Sequence, residues 1–307
     1  MGFYYLSQLI LQSIMYKMNC DQILDLVSSN VSGTTHQRIS RKNLEKLELT
    51  VPLLKEQKAI ADTLSTFDEH IENLEKLIEK KKMIRDGAVE DLMSGKTRLD
   101  GFDGDWIELS FKDYFTKLRN NTLSRDKLSS SGKVSNIHYG DVLIKYGPVL
   151  DSVEDVPKVK GNIKIDSLSV LKINDVIIAD TAEDNTVGKA VQIGDIHKQI
   201  VSGLHTIPCR PNYPTAPRFL GYYINSDVFH DQLLPYITGI KVSSISRKSI
   251  DKTKLYIPSD IKEQRAIASV LSSMDDEIDN LQNEKEKLEK IKQGAMDDLL
   301  TGRVRLV

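Results

Sequence analysis

Five basic residues, Lys241, Arg247, Lys248, Lys252 and Lys254, stand between Thr238 and Lys254 against the single acid Asp251. Interleaved with them, Thr238, Gly239, Ser243, Ser244 and Ser246 supply short hydroxyl donors and a pliable backbone. That combination suits close approach to a phosphate chain. The same stretch also reads as a polar loop capping a helix near Ser249. A second cluster, Asp180-Thr181-Ala182-Glu183-Asp184, concentrates carboxylates. Its spacing lacks the alternate-residue pattern of a calcium loop, which leaves a solvated loop, or acceptors for a donor such as cytosine N4. His205 has no His, Cys or carboxylate at metal-ligand spacing, so it is either a hydrogen-bonded core histidine or a polar group at a ligand surface.

Catalytic signatures are absent. There is no Pro-Pro dipeptide and hence no Asp/Asn-Pro-Pro-aromatic methyltransferase tetrapeptide, and no proline is followed by Asp as a nuclease Pro-Asp element requires. Gly95-Lys96-Thr97 looks like the end of a phosphate-binding loop, but Glu90 stands where its first glycine should be, so this is a helix C-terminus. GxSxG and HExxH are missing too. The net charge of −2 over 307 residues confines any polyanion-binding surface to a local patch. Cys20 and Cys209 lie far apart with no CxxC or Cys/His cluster near either, which argues against a disulfide scaffold and a structural zinc, and a reducing cytoplasm fits. The apolar start from Phe3 to Met15 lacks a basic leader and is too short to cross a bilayer; the expectation is a cytoplasmic, soluble chain with no membrane partner.

The elements that would position these residues are set by an internal repeat. Ile39-Ser40-Arg41-Lys42 returns as Ile245-Ser246-Arg247-Lys248, an offset of 206 that also relates Pro52 to Pro258. After one inserted residue the offset is 207, pairing Glu56-Gln57 with Glu263-Gln264 and Ala59-Ile60-Ala61 with Ala266-Ile267-Ala268. Gly95 and Arg98-Leu99 return as Gly302 and Arg305-Leu306. In each copy apolar residues alternate spacings of four and three: Ile60, Leu64, Phe67, Ile71, Leu74 and Ile78 in the first, Ile267, Leu271, Met274, Ile278 and Leu281 in the second. With no proline from Lys55 to Gly95 or from Ile261 to Gly302, each copy is a rod of about 40 residues, roughly 60 Å long at ~1.5 Å per residue, stopped by glycine. The charged run from Glu75 to Arg85 reads as a solvated helix face.

Between the rods, short β-branched runs such as Asp175-Val176-Ile177-Ile178, punctuated by glycines, predict a mixed α/β domain. Its last part turns helical from Phe219, and Tyr222-Tyr223 is matched there with Tyr4-Tyr5. On that match the first copy begins part-way through a domain and lacks an equivalent of Asp105–Arg218. The predicted fold class is α+β, a mixed α/β domain flanked by two long helices in an antiparallel coiled coil. Its boundaries are a domain remnant at 1–52, a first helix at 53–99, a complete domain at 100–258 and a second helix at 259–307.

The stretch Arg98-Leu99-Asp100-Gly101-Phe102-Asp103-Gly104-Asp105-Trp106, directly after a long helix, resembles the junction between a central helix and the second target recognition domain in specificity subunits of type I restriction-modification enzymes. A segment of Pro, Glu-Gln, Ala-Ile-Ala and a heptad helix closing in a Thr/Ser-Gly-x-x-Arg-Leu ending occurs twice, Pro52 to Leu99 and Pro258 to Leu306. The resemblance implies recognition domains that each read part of a split site in double-stranded DNA. It also implies antiparallel helices that act as a ruler and dock two modification subunits, in a system of phage defence. This chain would itself be non-catalytic and hold no cofactor, with S-adenosylmethionine in the modification subunits and ATP and Mg in a restriction subunit. The basic stretch would then meet the phosphates through Lys241, Arg247, Lys248 and its hydroxyl residues, while Tyr146, Asp180, Glu183, Asp184, Lys189 and His205 read bases. The competing expectation is a truncated or silent specificity cassette that binds partners through its coiled coil without productive DNA recognition.

Overall fold

The computed structural model describes residues 2–31, 36–161, 163, 170–239 and 241–306, with backbone alone for 2–9. The chain divides into two compact units, residues 1–82 with 277–307, and residues 83–276. Two long helices, α4 (Leu54–Met93) and α10 (Ile261–Thr301), run through both. The unit boundary therefore falls within each rod.

The first unit is helical. It holds α1 (Gly2–Met18), α2 (Asp21–Ser29), the short α3 (Arg41–Leu44), the first part of α4 and the last part of α10. Ser40 caps α3 by accepting the Asn43 backbone N–H at 3.1 Å. The core is made by Cys20 and Ile23 packed on Ile60 and Leu64 of α4 and on Met296, Leu299 and Leu300 of α10. Cross-helix ion pairs Glu75–Lys285 (2.8 Å) and Asp68–Lys292 (2.5 Å) show the segments running antiparallel. Glu75 and Lys81, expected on a solvated face, thus reach the partner helix, Lys81 meeting Glu277 at 2.6 Å.

In the second unit, β1 (Trp106–Ser110) pairs antiparallel with β13 (Lys254–Pro258). α5 (Phe111–Tyr114) leads into β2 (Phe115–Lys117), β3 (Leu128–Ser129), β4 (Ser135–Ile137), α6 (Tyr139–Ile144), β5 (Val149–Leu150) and β6 (Lys158–Val159). Next come β7 (Val176–Ala179), β8 (Thr181–Ala182), β9 (Ala190–Ile193), β10 (Ile200–Ser202), β11 (Thr206–Pro211), α7 (Phe219–Asn225) and α8 (Asp227–His230). β12 (Ser243–Ser244) and α9 (Arg247–Ile250) complete it. The main sheet runs β2-β11-β7-β9-β5, and a second runs β10-β4-β6-β3. β7 and β9 are buried along their whole length. β7 is an unbroken aliphatic run, as a strand covered on both faces requires, and β9 buries Gln192, which donates to Asn174 Oδ1 (2.9 Å) and accepts from Gly221 N–H (2.8 Å). Leu92 and Met93 of α4 and Ile267 and Leu271 of α10 join this core.

Of the seam residues, Ile60, Leu64, Ile78, Ile267, Leu271 and Ile278 are buried, and Phe67, Ile71, Leu74, Met274 and Leu281 half-buried. Gly95 and Gly302 end the rods in left-handed conformation, at φ 70° and 76°.

The repeat extends into contacts. Glu56 pairs with Arg305 (2.6 Å) in the first unit and Glu263 with Arg98 (2.5 Å) in the second. Asp68 accepts from Tyr16 in the first, Asp275 from Tyr222 (2.5 Å) in the second. The counterpart of Tyr222 is therefore Tyr16, at the offset of 206 that relates Ser40 to Ser246, and not Tyr4. Helix-forming residues of α1 obscured this in sequence, because upstream of Gln12 the second copy continues as a loop and strand instead.

Candidate nucleic-acid interface

The register of the main sheet brings several sequence-predicted residues to one end. Ala179, the last residue of β7, lies opposite Thr206, the first of β11, and Lys117 at the end of β2 lies opposite Cys209. Loops leaving β2 and β7 and the turn entering β11 therefore share that end. Asp180 N–H donates to the His205 carbonyl at 3.1 Å, and the Asp180 carboxylate lies 3.4 Å from His205 Nδ1. His205 adopts φ 55° and its ring is half exposed, edge-on to Tyr139.

The basic stretch joins the same end by strand addition. β12 pairs antiparallel with β8, Ser243 opposite Ala182 and Ser244 opposite Thr181, and Ile245 N–H reaches the Asp180 carbonyl at 2.9 Å. Thr238 and Ser244 exchange backbone hydrogen bonds of 3.0 and 2.8 Å, closing a tight hairpin. Gly239 sits in it at φ 120°, where a Cβ would come within 1.9 Å of the Val242 carbonyl oxygen, so only glycine fits. The hairpin projects Lys241 and Val242 into solvent.

The charges within the stretch are not equivalent. Ser246 caps α9 by accepting from Ser249 N–H at 3.0 Å, and Lys248 is exposed on that helix. Arg247 turns inward, donating to the Leu118 carbonyl (2.8 Å) and to Asn120 Oδ1 (3.1 Å), so it fastens the loop after β2. Lys254 pairs with Glu108 at 2.6 Å, Asp251 with Lys117, and Lys252 lies over the Tyr236 ring. Lys241 and Lys248 are the cations of the stretch left facing solvent with no partner among the described residues.

Among the six expected base readers, Glu183 and Asp184 are exposed on the loop after β8. Asp184 accepts from the Thr186 N–H (2.9 Å) and hydroxyl, which holds its carboxyl below the usual range. Lys189 and Tyr146 are set apart. Lys189 Nζ donates to the Leu143 carbonyl at 2.7 Å, and burial lowers its pKa. The Tyr146 ring belongs to the core, where burial and then Asp141 raise its pKa and its hydroxyl has no partner. Both line one cleft with Thr186 and His230. Sequence reasoning missed the loop after β2. There Asn121 binds the Ser202 carbonyl through its N–H (2.7 Å) and the fully buried Asn136 through its side chain (2.7 Å). Nothing in a bare run of Arg119-Asn120-Asn121 marks it, because its partners lie more than eighty residues away or across the sheet. Among the described residues no group of three or more His, Cys, Asp or Glu is arranged to hold a metal, and no helix is long and apolar enough to cross a membrane.

The site so described is a face of loops with an exposed basic hairpin, in a chain that also carries two long helices. The chain belongs to the type I restriction modification DNA specificity family, whose model matches residues 3–81 and 103–290. It is 26% identical over 299 residues to the specificity subunit of the type I restriction enzyme MjaVIII of Methanocaldococcus jannaschii, covering 91% of this chain and 67% of that one. In fold it is similar to the type I S subunit of M. genitalium, at TM-score 0.57 and 19% identity over 94% of this chain and 72% of that one. It is also similar to the HsdS subunit of Thermoanaerobacter tengcongensis, at TM-score 0.51 and 16% identity over 95% and 70% of the two chains. The chain is thus a DNA-recognition subunit, and its family is one of specificity subunits, not of catalysts.

Proposed function

We propose that this chain reads one half of a split DNA target through the end of its main sheet and docks modification subunits along α4 and α10. The observation that carries this is the strand pairing of β8 with β12, which holds the Asp180–Asp184 loop, His205 and the basic hairpin side by side. Lys241, Lys248 and the hydroxyls of Thr238, Ser243 and Ser244 meet the phosphate backbone and set the register. Asp180, Glu183 and His205 then face base edges, carboxylates accepting from exocyclic amines such as cytosine N4. Among the described residues of 12–52 no sheet forms. Methyl transfer with S-adenosylmethionine belongs to two modification subunits, and ATP- and Mg-dependent cleavage to a restriction subunit, all in the cytoplasm. The test is binding of the full chain, assembled with modification subunits, to a randomised duplex pool. One short conserved block is expected, and enrichment of no sequence would overturn the reading in favour of a partner-binding cassette.

A further inference from the structure

In the second unit, Trp106 seats β1 on the unit. Its ring lies 5.3 Å from Tyr256, its Nε1 donates to Glu263 Oε1 (3.3 Å), Arg98 stands over its face at 5.8 Å, and a Cβ on Gly95 would touch it at 3.4 Å. The repeat assigns a counterpart to each wall of that socket in the first unit: Thr50 for Tyr256, Glu56 for Glu263, Arg305 for Arg98 and Gly302 for Gly95. These four residues line one cleft of about 410 Å³, and a Cβ on Gly302 would meet no atom within 4 Å. Glu56 and Arg305 hold the same bidentate pairing, both bonds 2.6 Å, as Glu263 and Arg98.

The apolar residues beside the socket behave alike. Ile250, Leu255 and Ile257, members of the core cluster against which Trp106 and Leu109 of β1 pack, are 0%, 0% and 1% exposed. Their counterparts Leu44, Leu49 and Val51 are 41%, 37% and 49% exposed. Glu48 to Pro52, the counterpart of β13, pairs with no strand among the described residues.

We propose that the edge Glu48–Pro52 and the adjoining cleft form a docking site for a further polypeptide strand, one that carries a tryptophan where β1 has Trp106. The strand adds antiparallel to Glu48–Pro52, its indole enters the cleft against Glu56 and Arg305, and its aliphatic residues cover Leu49 and Val51. Charge fixes a further feature. In the second unit Lys254 meets Glu108 of β1, but Glu48 occupies the position of Lys254. The incoming strand therefore carries a basic residue where β1 has Glu108. This site is independent of the DNA reading, since none of its residues belongs to the main sheet.

The test uses the full chain and a fluorescent peptide repeating Gly104 to Lys117 with Glu108→Lys. Saturable binding is expected, weakened about tenfold by Trp106→Ala in the peptide. The chain variant Glu48→Lys should bind the unmodified peptide better and the Glu108→Lys peptide worse, by about threefold each way. Glu48 is exposed, so its variant keeps the fold. No binding, equal binding of the Trp106→Ala peptide, or absence of the charge exchange would overturn the proposal. So would a dimer of the chain that closes the cleft, since a second copy would then be the occupant.

Discussion

Arg247 and Lys248 are neighbours in sequence, yet only Lys248 faces solvent, while Arg247 spends its guanidinium on Leu118 and Asn120. Lys248→Ala should leave the melting temperature unchanged and reduce the salt dependence of DNA binding by about one unit, specific and non-specific duplexes alike. Arg247→Ala should instead lower the melting temperature, because it frees the loop after β2. Thermal melts and binding titrated with salt separate the two, and equal melts for both variants would contradict the assignment. Glu183→Gln should change which base is preferred, by about 1–3 kcal/mol at one position, with little effect on non-specific binding. Titration against duplexes varied at single positions reads this out. The sequence showed the polarity of these loops but not which cations were spent internally. Partners such as Glu108 for Lys254 or Asn120 for Arg247 lie more than a hundred residues away, and no local pattern announces them. Tyr146 was illegible for a related reason: a tyrosine between glycine-punctuated segments looks exposed until α6 folds it into the core.

The rods were the most legible elements, because a heptad pattern is local and needs no tertiary information. The apolar spacing and glycine stops anticipated helices that the structure ends at Met93 and Thr301. The short strands were legible only as a class, since two-residue elements such as β8 and β12 exist through their pairing and not through propensity. Ile278 is 5% exposed, so Ile278→Asp should destabilise the helix pair by about 3 kcal/mol, whereas Leu281→Asp, half-buried, should cost about 1 kcal/mol. Urea unfolding measures both, and equal losses would mean the seam is misplaced. The Glu56–Arg305 clamp adds a pH signature. Arg305 holds the Glu56 carboxyl below its ordinary range. A depressed folded pKa means the clamp stabilises fully above the ordinary carboxylate value of about 4.3 and loses its contribution as pH falls through the folded value. The melting-temperature gap between wild type and Arg305→Ala should therefore narrow below about pH 4. A gap that stays constant from pH 7 to pH 3 would contradict the assignment.

At the scale of the whole molecule, one repeat serves two different ends. Both units carry the same Glu–Arg clamp and the same Tyr–Asp bond onto the rods, and among the described residues the sheets with their loop face lie within 83–276. On the proposed function, the loop face of residues 83–276 reads one block of bases. The most direct test is a methylation map of DNA modified by a complex of this chain with two modification subunits and no second reader. A single short specific block beside unrestricted sequence is the result predicted here. Two separated specific blocks, or methylation without sequence preference, would contradict the account.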